Sequence, residues 1–236
     1  MNKRMNQGGN NHSKRRLALI IGMGLILMAC IAAFSAPVIS GMLLLENSSL
    51  ASPQVMYSFS NFTGAVIGWV GIFILDILVS IGIYQFYKNE NPKEALITTL
   101  LRLIYAAFLG VAILQLLQVT DATPAMDIYE HVNRFDVIWS WGLIAFGLHL
   151  ITLGILFNNE GGKKWIGITI KALLIIAGLG YMILNIGILI VPNPVAFKAF
   201  IQPLFLIPFI LGEVLFAIWM LVKGGKDQGT HHMVSR

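Results

Sequence analysis

The sequence predicts an all-α fold: a polytopic integral membrane helical bundle of six transmembrane helices, with both termini cytoplasmic. Composition gives the first indication. Hydrophobic residues make up 57% of the 236, and charged residues only 11%, about half the usual share for a soluble domain. The second is that long apolar runs recur along the chain, each able to cross a hydrocarbon core about 30 Å thick with about 20 helical residues. The third is that Lys and Arg gather at alternate span ends, as the positive-inside rule requires.

Six spans follow in order: Leu17–Leu45, Phe62–Tyr87, Ala95–Val119, Val137–Phe157, Ile166–Val191 and Phe200–Val222. The first exceeds a minimal crossing and contains Pro37, so a tilt, a kink or an interfacial tail is expected. No span alternates with period two, which argues against an outer-membrane barrel. Residues 1–16 form a basic tail whose "NQGGNN" lacks periodicity and is expected to be disordered, 17–222 form the membrane domain, and 223–236 form a second polar tail. "KRR" before "LALIIGMGLILMAC" also has the form of a secretory signal, with cleavage conceivable at Cys30 or at "AFSA". Apolar sequence continues past both sites to Leu45, so a retained first helix is the expectation.

Orientation rests on the cations. Lys3, Arg4, Lys14, Arg15, Arg16, Lys88, Lys93, Lys163, Lys164, Lys223, Lys226 and Arg236 fall on one side of an alternating chain, and only Arg134 and Lys198 on the other. The first side is expected to be cytoplasmic in a cell membrane. "PQVMYSFSNF" and "TDATPAMDIYEHVNRFD" then face outward as loops. The net charge of +5 is explained by this asymmetry, so nucleic acid is not an expected partner. The expected partners are the lipid bilayer and a small molecule, lipid or ion; oligomeric state is not legible. The one cysteine excludes an intramolecular disulfide and a cysteine metal motif. No cofactor motif is present; "EGGKK" lacks the spacing of a phosphate loop. His231 and His232 lie in the polar tail and read as solvated side chains.

Four ionisable residues lie well inside spans: Asp76, Arg102, His149 and Glu213, whereas Lys171 is near the start of the fifth. Such residues usually face a bundle interior or a wet cavity. Counted from the cytoplasmic ends, their depths agree within about 6 Å. They form one layer, in which Arg102 could bridge Asp76 and Glu213 through its planar fork of donors, with His149 completing the network. Tyr105 lies one turn after Arg102 and shares its face. Tyr181 and Asn185 share a face in the fifth span and could line a polar path, although interhelical hydrogen bonding is the simpler role. The structural alternative is that the layer only fixes helix register, or that Arg102 snorkels to headgroups. Gly64, Gly68, Gly178, Gly180 and Gly187 suit close helix contact. Trp139, Trp141, Trp165 and Trp219 suit an interfacial belt.

"FGLHLITLGILFNNEGGKKWIGITIKALLIIAGLGYMILN" and "LGEVLFAIWMLVKG", with "LLRLIYAAFLG" and more loosely "LDILVSIGIYQFY", resemble the bacterial membrane family catalogued as domain of unknown function 4386. The resemblance covers residues 17 to 224 and includes Arg102, His149, Tyr181 and Glu213. It implies a multi-pass membrane protein and brings no activity, substrate or cofactor. Three function classes are weighed. The favoured one is a binding protein, transporter- or sensor-like, built on the charged layer. The second is a structural or accessory subunit. The third is an intramembrane hydrolase using His149, Asp76 and Glu213, against which a single histidine is a poor zinc set.

Overall fold

The computed structural model describes residues 2–42, 53–120, 123–159 and 163–226. Six helices account for nearly all of them: α1 Asn2–Met42, α2 Pro53–Tyr87, α3 Pro92–Leu116, α4 Ala125–Leu156, α5 Lys164–Ile190 and α6 Pro194–Val222. All six are long and apolar enough to cross a membrane. The chain is a multi-pass membrane protein.

Each helix packs on its neighbours in chain order, and α6 closes back on α1. The result is a ring, with a lighter contact between α1 and α4 across it. α3 shows why. Its buried residues are Ala95, Thr98, Thr99, Arg102, Tyr105, Ala106, Leu109, Ala112, Ile113 and Leu116. They recur every three or four positions, so they form one stripe. Ile97, Leu100, Ile104, Val111 and Leu114 stand exposed on the other side. The inward stripe thus holds Thr98, Thr99, Arg102 and Tyr105 among alanines and a few aliphatics, while the outward side is mainly branched aliphatic, as suits a bundle in lipid.

Glycines set the closest approaches. A Cβ on Gly147 would lie 2.6 Å from the Gly178 carbonyl, and one on Gly178 would lie 2.4 Å from the Gly147 carbonyl, so α4 and α5 meet backbone to backbone. Gly180 and Gly187 seat the rings of Phe205 and Phe197, joining α5 to the first half of α6. Gly68 does the same for Ile31 and Ser35 of α1. The ring closes through Arg15, whose Nη1 donates to the carbonyls of Met220 (3.1 Å) and Gly224 (2.8 Å) and whose Nη2 donates to that of Leu221. These are carbonyls at the C-terminal end of α6, where a cation is favoured. Lys14 bonds Glu90 at the same end. This end is called the termini end below.

Helix edges depart from the apolar runs. α4 begins at Ala125, so most of "TDATPAMDIYEHVNRFD" is helix and not loop. Hydropathy misses it because its outward face is polar; Val132 and Phe135 are buried, and Arg134 pairs with Glu130 one turn earlier at 2.5 Å. α2 and α6 likewise start early, at Pro53 and Pro194. α1 runs back to Asn2, into the segment expected to be a disordered tail. Leu43–Leu45, His231 and His232 lie outside the described residues. The helices run through Pro37, Pro203 and Pro208. Proline has no N–H, so the Ala33 and Leu204 carbonyls receive no bond from Pro37 and Pro208. Trp141 and Trp165 are exposed as a belt requires. Trp139 and Trp219 are not. Trp139 packs edge-on to Trp69 at 4.8 Å inside the bundle, and Trp219 Nε1 donates to Asn159 Oδ1 at 2.8 Å.

Candidate functional site: an ionic cluster beneath an apolar cavity

Arg102 projects from the inward stripe of α3 to the centre of the ring. Its Nε donates to Asp76 Oδ1 of α2 at 2.9 Å, and Nη2 stands 2.7 Å from the same oxygen. Its Nη1 donates to Glu213 Oε1 of α6 at 2.9 Å and faces His149 Nε2 of α4 at 3.1 Å. Nη2 also reaches Met28 Sδ of α1 at 4.0 Å. One guanidinium thus ties five of the six helices, and its donors are all engaged.

The imidazole has a defined role. His149 Nδ1 is 2.8 Å from the Thr98 carbonyl, which can only accept. Nδ1 therefore donates, and Nε2 is left to accept from Arg102. His149 holds the guanidinium from behind. Beside Asp76, Ser80 Oγ donates to the Asp76 carbonyl at 2.6 Å and Thr99 Oγ1 donates to the Ser80 carbonyl at 3.4 Å, stitching α2 to α3.

A cavity of about 530 Å³ opens on the cluster. Asp76, Arg102 and Glu213 form its floor. Its lining runs from Asp76 back to Trp69 on α2, from Phe146 back to Trp139 on α4, and from Leu25 on to Ala36 on α1. It therefore extends from the cluster away from the termini end. Tyr105 and Tyr181 line it. Phe146 links them, with ring centroids 4.7 Å from Tyr105 and 5.3 Å from Tyr181, and Arg102 Cζ lies 5.5 Å from the same ring. Phe209 packs on Tyr181 at 4.2 Å.

Of the residues singled out in the sequence, Asp76, Arg102, Tyr105, Tyr181 and Glu213 meet at this cavity. His149 contacts Arg102 but is not part of the lining. Asn185 is not brought to the site: its Nδ2 bonds the Tyr181 carbonyl one turn back at 2.8 Å. Arg102 does not snorkel; it is buried and paired. Sequence reasoning missed Met28, Trp69, Trp139, Phe146 and Phe209, and the alanines at 29, 32, 33 and 36. The signal for the last group was present in "ACIAAFSA", whose small residues serve as a cavity wall.

A ring of membrane-spanning helices closed around a buried ionic centre defines the class: a polytopic helical membrane protein with a polar core. The chain belongs to the family described as Domain of unknown function (DUF4386), whose profile matches residues 20–224. An uncharacterized protein of Archaeoglobus fulgidus is 30% identical over 171 residues, which is 70% of this chain and 89% of that protein. No solved structure matches.

Proposed function

We propose that this protein binds a small molecule, lipid or ion in the cavity above the Arg102 cluster, in a transporter- or sensor-like role. Residues 17–222 form the membrane domain, and the segments 1–16 and 223–236 are cytoplasmic tails in the cell membrane, as the placement of Lys and Arg supports. Asp76, Arg102, Tyr105, Tyr181 and Glu213 face the ligand, and His149 orients Arg102.

The observation that carries this reading is that the cluster floors a cavity. A register-fixing salt bridge needs no space beside it, whereas about 530 Å³ bounded by aromatics and a few converging polar groups matches the usual size and lining of a ligand site. The competing reading, a structural or accessory subunit, draws on the full engagement of the Arg102 donors. Extraction separates the two. The full chain and Ala32→Trp, which fills the cavity from α1, are purified in native-lipid discs, and their extracts are compared by mass spectrometry. A species present in near-stoichiometric amount in the first and missing from the second supports binding. Identical extracts favour the structural subunit.

A further inference from the structure

We propose that the ligand is a hydrophobic organic cation, such as an amine- or quaternary-ammonium-bearing amphiphile, that enters from the bilayer between α1 and α6. This rests on the ligand-binding reading above and names its substrate class.

Charge and hydrogen-bond inventory point to a cation. The floor holds two carboxylates, Asp76 and Glu213, against one guanidinium. His149, donating from Nδ1 and accepting at Nε2, adds no charge. With both acids ionised the floor has a formal charge of −1. On the floor the donors are used up and the acceptors are not; the unpartnered indole N–H groups of Trp69 and Trp139 belong to the walls. Arg102 spends its N–H groups on Asp76, Glu213, His149 and the Met28 sulfur. Asp76 takes both Arg102 contacts on Oδ1, and its buried Oδ2 has no hydrogen-bond partner. Glu213 takes Arg102 on Oε1, and its Oε2 bonds nothing among the described residues. A buried carboxylate oxygen without a donor is costly. A ligand that supplies positive charge or N–H groups compensates it; an anion would meet two carboxylates on the floor and find free donors only on the walls.

The walls select an organic cation over a bare ion. Trp69, Tyr105, Trp139, Phe146, Tyr181 and Phe209 line the cavity, and aromatic faces attract cations by their quadrupoles. Among the described residues no three His, Cys, Asp or Glu side chains form a metal-ligand set.

The route is lateral. Every buried residue of α6 lies from Gly212 onward, in the half that packs near α1 at the termini end. The preceding half contacts α5 through Phe197 and Phe205. Facing this seam, Ala29 and Ala33 of α1 and Ile210 of α6 line the cavity and are exposed. The Glu213 side chain is 26% exposed there, against 2% for Arg102. A ligand can thus place its charge at Glu213 while its apolar part lies toward lipid.

Radiolabelled tetraphenylphosphonium binding to the full chain in phosphatidylcholine nanodiscs tests this, with tetraphenylborate as the shape-matched anion and empty discs as the partition blank. Saturable phosphonium binding is expected, not displaced by tetraphenylborate. Glu213→Gln should weaken it about tenfold or more, as loss of a charged partner at a binding interface does. Phe209→Leu, which keeps apolar bulk and leaves the charges alone, should weaken it about threefold. Ala32→Trp should abolish it. Displacement by tetraphenylborate as effective as by unlabelled phosphonium overturns the cation assignment. So does unchanged affinity in folded Glu213→Gln or in Phe209→Leu, or the absence of saturable phosphonium binding. If the assignment fails while Ala32→Trp still loses a co-purifying species, ligand binding stands without the cation; if both fail, both readings fall.

Discussion

Arg102 Nη2 lies 2.7 Å from Asp76 Oδ1, with each side chain only 2% exposed. Neither charge has water to fall back on, so each depends on the other. Removing one partner of such a pair costs about 3–5 kcal/mol, since the remaining charge is left buried. Arg102→Ala should therefore lower thermal stability sharply, and adding Asp76→Asn should restore part of the loss. A double-mutant cycle reads that coupling. Strictly additive losses would show that the two do not stabilise one another.

The Glu213 arm should couple more weakly. Its side chain is 26% exposed to the cavity and seam, so it is held less closely than Asp76, whose side chain is 2% exposed. The cycle of Arg102→Ala with Glu213→Gln should give a smaller interaction energy than that with Asp76→Asn. The reverse ranking would mean that Glu213, and not Asp76, anchors the guanidinium.

The seam between α4 and α5 makes a prediction about packing alone. Gly178→Val puts side-chain atoms where a Cβ would already sit 2.4 Å from the Gly147 carbonyl, and backbone cannot yield as a flexible side chain can. Folded yield should fall severely. Gly41→Ala is the control, because nothing lies within 4 Å of its added Cβ. Equal tolerance of both would mean that α4 and α5 stand farther apart.

Arg15 closes the ring by bonding carbonyls of Met220, Leu221 and Gly224. Charged hydrogen bonds at a helix C-terminus are worth about 1–2 kcal/mol when partly buried. Arg15→Ala should lower the melting temperature modestly and raise amide exchange in residues 220–224. Unchanged exchange there would remove Arg15 from the closure.

Topology is tested separately. Reporter fusions near Met126 and at the C-terminus should report opposite sides, with the C-terminus cytoplasmic. A periplasmic C-terminus would overturn the orientation. Mass spectrometry of the purified chain should find residues 1–30 still attached; α1 supports this by burying Ala18, Ile21, Leu25 and Met28 in the core.

The helices and the cluster were legible in the sequence for one physical reason. Charges in apolar runs are costly, so Asp76, Arg102, His149 and Glu213 were expected to turn inward, and their similar depth made them candidates for one layer. The cavity was not legible. Its walls are Trp69, Trp139, Phe146 and Phe209, ordinary apolar residues whose inward direction depends on helix rotation. Asn185 misled because a hydroxyl or amide on a helix can satisfy itself on its own backbone, as it does at Tyr181. The early start of α4 was hidden because hydropathy detects lipid contact and not helix.

The central claim is that the space above Arg102 and Glu213 holds a ligand. An experimental structure of the full chain in native lipid discs addresses it most directly. Density filling the cavity beside Glu213, bounded by Trp139, Tyr181 and Phe209, is the predicted result. A collapsed cavity, with α6 closed onto α1 and a dry Asp76–Arg102–Glu213 bridge, would contradict it.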